Sequence, residues 1–239
     1  NDELLNLGKH IKSSALFYEN FRLIGEVGYW DKDASLKPLL HFWSLAIEEQ
    51  FYIFWPFILI ILFYAKNNFN IKISISLSLI CALLFILPFF LEINKFYHLL
   101  SRSYELAFGS LAFVLAKEYK KLRAYLHIYK KFIYAFFVIA ILASINNTEY
   151  NAFKTLLISL ASCALIISLN REKQSRVFAN SPLVFLGLIS FPLYLNHYAI
   201  ISFCHILGID ISAWRGVLVL IICVFLAFLV YRFIELYAR

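Results

Sequence analysis

The sequence predicts an all-α protein, a polytopic bundle of transmembrane helices, from three observations. Of its 239 residues, 62% are hydrophobic and only 15% are charged, whereas soluble domains average about 45–50% apolar and about 25% charged residues. The apolar residues fall into seven runs with the length of a membrane span or close to it. The cations concentrate in alternate loops between these runs, as expected for a chain that crosses a membrane repeatedly.

The first 40 residues contain no apolar run long enough to span a membrane. Their apolar residues recur at helical spacing: Leu4, Leu7, Ile11, Ala15, Tyr18 and Phe21. This pattern predicts an amphipathic helix at the membrane interface, although a solvated connector that caps the bundle explains it equally well. Residues 28–38 form a predicted loop. We therefore divide the chain into an extracytoplasmic segment, residues 1–40, and a transmembrane domain, residues 41–239.

Seven spans are predicted after this segment, over residues 45–65, 71–91, 98–116, 128–145, 152–169, 183–205 and 214–234. A helix of about 20 residues rises about 30 Å, the thickness of the hydrocarbon layer. The fourth and fifth spans are marginal by this measure, which leaves them tilted or partly re-entrant. Pro56, Pro88 and Pro192 lie inside predicted spans and predict kinks there.

The loops between the spans predict the orientation of the chain. The strongest basic cluster lies between the third and fourth spans: Lys117, Lys120, Lys121, Arg123, Lys130 and Lys131. Other basic loops carry Lys66 and Lys72, and Arg171, Lys173 and Arg176. The positive-inside rule places these loops and the last residue in the cytoplasm. Because an odd number of spans then begins outside, we expect that the chain is a piece of a longer protein in which further helices precede Asn1.

Composition also argues against several classes of protein. The net charge of +7 lies in short loops, so it indicates topology and not a nucleic-acid interface. The four cysteines lie inside apolar runs without metal-ligand spacing. We therefore expect no disulfide framework, no metal site and no nucleic-acid partner.

Two adjacent carboxylates, Glu48 and Glu49, lie inside the first apolar run. A charge near the bilayer centre costs roughly 2.5–3.5 kcal/mol, so the pair predicts either ionic partners or a function. Helical spacing places further chemistry-bearing side chains on the face of Glu48: His41, Ser44, Tyr52 and Trp55. Glu49 is rotated by about 100° and points to a neighbouring helix. The alternative is that these side chains only hydrogen-bond across the bundle.

Two later spans carry further polar groups. Arg102 and Glu105 are separated by one helical turn, so they can neutralise each other, and Arg102 can instead offset Glu48 or Glu49 or hold an anionic group. The sixth span places Ser190, Tyr194, His197 and Tyr198 on nearly one face. A lone histidine such as His197 is more often a satisfied polar contact than a catalyst.

Residues 41–52, HFWSLAIEEQFY, resemble the most recognisable motif of acyltransferase family 3, which comprises bacterial integral-membrane O-acyltransferases. Residues 102–109 resemble its Arg…Glu…Gly span, residues 181–197 its late span ending in Tyr-Leu-x-His, and residues 231–235 its terminal Tyr-Arg-x-x-Glu. Two departures occur. Phe42 replaces a commoner small polar residue, and Leu236 with Tyr237 replaces the usual Arg-Pro.

The resemblance implies a bundle of about ten helices in a bacterial inner membrane, of which about seven lie in this chain, so the first three helices of the family would precede it. Family members transfer an acyl group, often acetyl, from cytoplasmic acyl-coenzyme A to a hydroxyl of a glycan such as lipopolysaccharide O-antigen or peptidoglycan. The implied donor is therefore acetyl-coenzyme A, and the implied partners are membrane lipid and a glycan acceptor. The lead into the motif also resembles a subgroup with an extracytoplasmic esterase-like domain fused after the helices.

The family's proposed catalytic histidine lies in its first span, which this chain does not contain. By this resemblance Glu48 or Glu49 would orient or charge-balance that histidine in the manner of a triad. Arg102 would offset the carboxylates or hold the donor, and the expected catalytic residues are Glu48, Glu49, Arg102 and Glu105. The expected substrate-binding residues are His41, Trp43, Ser44, Tyr52, Trp55, Tyr194 and His197.

Two other classes compete with this interpretation. Intramembrane carboxylates and kinked helices also suit a proton-coupled transporter or flippase of a glycan or lipid, but the Glu-Glu motif has no twin in the second half of the chain. A seven-helix receptor ranks last because its loop disulfide is missing.

Overall fold

The computed structural model describes residues 2–26, 36–91, 96–145, 151–169 and 180–238. Its regular secondary structure over these ranges is entirely helical, which confirms the predicted all-α class. Most of the predicted loop over residues 28–38 and the cations at positions 171, 173 and 176 lie outside the described residues. The chain divides into two compact units, residues 1–46 with 176–239 (unit 1) and residues 47–175 (unit 2).

The helices, in chain order, are α1 (Asp2–Ala15), α2 (Glu19–Glu26), α3 (Phe42–Phe69), α4 (Ile73–Phe90), α5 (Leu99–Glu118), α6 (Lys120–Ile128), α7 (Lys130–Ile145), α8 (Ala152–Ser168), α9 (Ser181–Ile206), α10 (Ala213–Val230) and α11 (Leu236–Ala238). A π-helical turn, Tyr231–Glu235, joins the last two helices.

Every predicted span contains a helix in the described part of the chain. Among the described residues, five segments are long and apolar enough to cross a membrane, namely α3, α4, α5, α9 and Trp214–Glu235. The helices α6 and α7 form one bent pair with an angle of 76°, and α8 has only 17 residues. The two spans that the sequence marked as marginal are therefore the two that deviate, and the multi-pass membrane class is confirmed.

Unit 2 is built around α5, which packs against α4 and α8, while α7 packs against α8. Small side chains line the contact surface of α5, where Ala107 and Ala112 are fully buried. Such residues allow membrane helices to approach closely. Tyr104 is also buried, and its hydroxyl lies 2.5 Å from the Thr155 hydroxyl of α8. A polar contact thus ties the two helices together within an apolar interface.

Unit 1 contains the antiparallel pair α9 and α10, which bury Ile189, Cys223 and Ala227. The helix α9 ends at Ile206 and is followed by Leu207 and by Gly208, which has a φ of 68°. The Ile209 amide bonds the carbonyl five residues earlier, the pattern of a Schellman cap, which favours glycine in the left-handed region.

The amino-terminal segment differs from the expected single amphipathic helix. Phe17 takes a φ of 54°, and the amides of Phe17 and Tyr18 donate to the carbonyls of Ser14 and Ser13, so α1 ends there and α2 begins anew. The polar side of this hairpin is the buried side, because Glu19 and Asn20 are fully buried while Leu4, for example, is 72% exposed. The helical period was correct, but the apolar face points away from the unit's interior.

Candidate functional site

A cluster of ring-bearing and hydroxyl side chains forms in unit 1, which we name the histidine–tyrosine cluster: His41, Ser44, Tyr194, His197 and Tyr198. The His41 ring centroid lies 5.2 Å from that of Tyr194 and 5.4 Å from those of both His197 and Tyr198. The sequence placed these residues in two motifs about 150 positions apart. The structure brings together His41, Ser44, Tyr194 and His197, four of the seven residues expected to bind substrate.

Tyr194 joins the two motifs by hydrogen bonds. Its hydroxyl donates to the backbone carbonyl of His41 at 2.5 Å and also contacts the Ser44 hydroxyl. A phenol has one proton, so the Ser44 hydroxyl donates to the Tyr194 oxygen. This arrangement fixes the first turn of α3 against the middle of α9.

The backbone of α9 determines the tautomer of His197. Its Nδ1 lies 2.8 Å from the Tyr194 carbonyl and 3.1 Å from that of Leu193. Since a carbonyl only accepts, Nδ1 carries the proton, and in the neutral ring Nε2 keeps its lone pair. His197 therefore presents Nε2 as a proton acceptor.

His41 directly precedes α3 and is 8% exposed. Burial, with a smaller contribution from His197, lowers the pKa of His41 from 6.5 to about 4, and the carbonyls of Leu195 and Tyr194 offset only part of this effect. Neither ring nitrogen makes a hydrogen bond of good geometry with a described residue. A neutral imidazole with unsatisfied nitrogens costs free energy when buried, which makes His41 a candidate ligand-binding group.

The Glu48–Glu49 pair lies on the part of α3 that belongs to unit 2, and both side chains are half-buried. Neither carboxylate forms a hydrogen bond or an ion pair with any residue in the described ranges. The compensation that the sequence led us to expect is therefore not supplied by unit 2.

Arg102 bonds Glu105 instead, with its Nη1 2.7 Å from the carboxylate Oε1. Its guanidinium also lies 5.3 Å from the Phe96 ring centroid, and its Nε donates to the Phe96 carbonyl at 3.4 Å. Of the alternatives left open for this pair, self-neutralisation is the one that the geometry shows. No ion pair joins Arg102 to Glu48 or Glu49.

The aromatic residues expected to line a substrate path occupy different surroundings. Trp55 is buried, stacks on Phe51 with centroids 4.7 Å apart, and donates from Nε1 to the Ser110 hydroxyl at 2.8 Å. Tyr52 is 57% exposed, and Trp43 is half-buried. Trp55 thus contributes to the core of unit 2, whereas Tyr52 stays accessible.

A buried ionic network in the amino-terminal hairpin was not predicted. His10 Nδ1 lies 2.6 Å from one oxygen of Glu19, and the Ser13 hydroxyl donates to the other. Glu26 lies 3.4 Å from His10 Nε2 and 3.2 Å from the Lys37 ammonium. The helix break between α1 and α2 brings these residues together. It contains neither glycine nor proline, so nothing in the sequence indicated the break or the network.

The terminal motif has an unusual backbone. Residues Tyr231–Glu235 form a π-helical turn that coincides with the whole Tyr-Arg-x-x-Glu motif. Such turns occur frequently at functional sites. The motif therefore has a backbone conformation that differs from that of the regular α-helices on either side of it.

Comparison with known proteins supports the resemblance. A family model described as "Acyltransferase domain" matches residues 7–232. A Staphylococcus aureus protein provisionally named as an O-acetyltransferase is 32% identical over 247 residues, which cover 95% of this chain. The peptidoglycan O-acetyltransferase OatA of Listeria monocytogenes is 31% identical over 253 residues, or 97% of this chain. These relatives give no support to the transporter alternative.

The chain spans about two fifths of these relatives, 41% of the Staphylococcus protein and 40% of the Listeria protein. No solved structure gives a significant match.

Proposed function

Because this chain belongs to the acyltransferase domain family, we propose that it forms part of the membrane core of an O-acetyltransferase of the bacterial plasma membrane. The proposed donor is acetyl-coenzyme A, and the acceptor is a hydroxyl of a cell-wall glycan. Peptidoglycan is the preferred acceptor class, because it appears in the name of the Listeria relative. Lipopolysaccharide O-antigen remains the second acceptor class implied by the motifs. The basic loops and the last helix are proposed to end in the cytoplasm.

One observation carries this proposal. Two motifs of the family, residues 41–52 and 181–197, meet in the histidine–tyrosine cluster of unit 1. Within it, neutral His41 and the Nε2 of His197 are groups that accept a proton from, or hydrogen-bond to, a sugar hydroxyl. We assign this cluster to acceptor binding.

The Glu48–Glu49 pair is assigned a separate role. An intramembrane carboxylate without a cation or donor in the described residues is costly, so its partner is expected to be another group of the working enzyme. A neutral base that becomes positively charged when it takes the proton from the attacking hydroxyl is such a group, because a carboxylate stabilises the charge that forms. Arg102 and Glu105, being paired with each other, are assigned to positioning α5.

The experiment uses the full-length protein in proteoliposomes with labelled acetyl-coenzyme A and soluble peptidoglycan fragments. We expect label on the glycan, and we expect Glu48→Gln and Glu49→Gln, singly or together, to reduce the rate by at least about a hundredfold, the usual range for a group assisting proton transfer. Glu118→Gln, an exposed carboxylate outside the site, serves as the matched control. Normal acetylation by the double glutamine variant would remove the assigned role, and transport of unmodified glycan without labelling would favour a carrier.

A further inference from the structure

The end of unit 2 that carries the junction of α5 and α6 contains a cavity with a strongly basic lining. Its volume is about 560 Å³, and its polar wall consists of Lys117, Lys120, Arg123 and His127. Its apolar wall consists of Ala116, Ala124 and Ile128. No carboxylate lines the cavity, so four nitrogen-bearing side chains converge on one space.

The two lysines of this wall are not paired with neighbouring acids. Lys117 and Lys120 form no ion pair with any residue in the described ranges, and neither does the adjacent Glu118. The cavity therefore has an excess of positive charge. Uncompensated ammonium groups that face one space favour an anionic ligand.

The helix α6 is held in position by its contacts with α8. His127 Nδ1 lies 2.9 Å from the Ser168 carbonyl, and Arg123 Nη2 donates to the Leu169 carbonyl at 3.4 Å. These acceptors lie at the carboxyl end of α8, where the helix dipole favours cations. The part of the lining that lies on α6 is therefore held in place by α8.

Membrane topology explains only part of this arrangement. The positive-inside rule accounts for the sign of the charge on the loop. It does not require that the cations come from two successive helices, α5 and α6, nor that they line one cavity together with apolar residues. A ligand that has both several phosphates and a flat apolar group matches both walls.

We propose that this cavity binds the nucleotide half of the acyl-coenzyme A donor, with its phosphates on Lys117, Lys120 and Arg123 and its adenine against the wall that includes Ile128. This inference rests on the proposed function. Arginine and lysine are the usual ligands of phosphate, arginine through its planar fork and lysine as a point charge. The anionic head group of a membrane lipid carries the same phosphate chemistry and is the competing source.

The test measures binding separately from catalysis. Full-length protein in nanodiscs of neutral lipid is dialysed against labelled coenzyme A, without any acceptor. We expect the Lys117→Gln/Lys120→Gln variant to raise the Kd at least about tenfold, as expected when two charge-assisted hydrogen bonds are lost. Dephospho-coenzyme A, which lacks the 3′-phosphate, should bind the parent more weakly and discriminate less between parent and variant. Lys117→Arg/Lys120→Arg should retain affinity.

Lys130→Gln/Lys131→Gln is the matched control, because it removes the same two charges from the start of α7, where neither lysine lines the cavity. Unchanged coenzyme A binding by the double glutamine variant would overturn the proposal. A loss confined to binding of phosphatidylglycerol vesicles would overturn it as well and assign the cluster to lipid. Coenzyme A binding that depends on Lys117 and Lys120 would support the cavity assignment even if no acetyl group reached a glycan, an outcome that would reject the proposed function alone.

Discussion

His41 shows how burial decides the charge of a single side chain. The unfolded chain takes up a proton on this imidazole as the pH falls through 6.5, whereas the folded protein resists protonation until about pH 4. Between these values the unfolded state binds more protons, so stability rises with pH. The contribution of neutral His41 to the free energy of unfolding is complete above pH 6.5. It is lost as the pH falls toward 4, at about 1.4 kcal/mol per pH unit.

We therefore predict that the melting temperature of the purified protein falls more steeply between pH 6.5 and pH 4 than that of its His41→Gln variant. Thermal unfolding in detergent at a series of pH values measures the difference. His205→Gln, which alters an exposed histidine, is the control. Parallel pH profiles for the parent and His41→Gln would show that His41 titrates normally.

Glu19 is the most deeply buried charge of the amino-terminal network, with 0% of its surface exposed. Glu19→Gln preserves its shape but removes the charge that His10 and Ser13 contact. Breaking one partner of a buried ionic contact costs about 3–5 kcal/mol, so we predict a clear fall in melting temperature. Glu118→Gln should leave the melting temperature unchanged. An equal effect of the two substitutions would show that the contacts of Glu19 with His10 and Ser13 do not stabilise the fold.

At the scale of elements, α5 depends on small residues where it contacts its neighbours. Ala112 is fully buried, while the adjacent Phe113 is 56% exposed. Ala112→Leu adds three carbons to a packed interface, and overpacking costs about 1–3 kcal/mol. We predict that this variant lowers the melting temperature, whereas Phe113→Leu does not, as measured by thermal unfolding in the same detergent. Equal stability of both variants would mean that the interface has unfilled space.

The hairpin of α1 and α2 follows its predicted helical period, but it is broken into two helices and its apolar face points outward. The apolar positions recur at helical spacing, yet Leu4, Ile11 and Phe21 are exposed and the polar residues pack inward. Such a hairpin suits a surrounding apolar phase or further apolar helices. Helical period alone reports which residues share a face, and it does not report which face is buried.

For the whole molecule, the alternation of basic and charge-poor loops predicts its orientation. After replacement of the four native cysteines, Lys121→Cys should react with an impermeant thiol reagent only in permeabilised cells. Asp210→Cys, in the charge-poor loop between α9 and α10, should react in intact cells. Labelling in the opposite pattern would invert the proposed topology and move the basic cavity away from the cytoplasmic donor.

Much of this protein could be derived from its sequence, because membranes constrain chains strongly. The hydrocarbon layer demands long apolar helices, so the seven runs of apolar residues determined the all-α class and the approximate position of each span. The short runs at residues 128–145 and 152–169 already indicated the two spans that deviate. The motif at residues 41–52 identified the family, since paired carboxylates in an apolar segment are rare.

The partners of individual polar groups were decided only by the tertiary structure. Helical spacing placed Arg102 equally well against Glu105, Glu48 or Glu49, and only the packed unit shows the bond to Glu105. His41 and Tyr194 meet although they are distant in the chain, and Glu19 reaches His10 through a helix break without a turn residue. Local periodicity acts over a few residues, whereas these contacts depend on how distant helices pack, and that packing is the sum of many weak contacts across the chain.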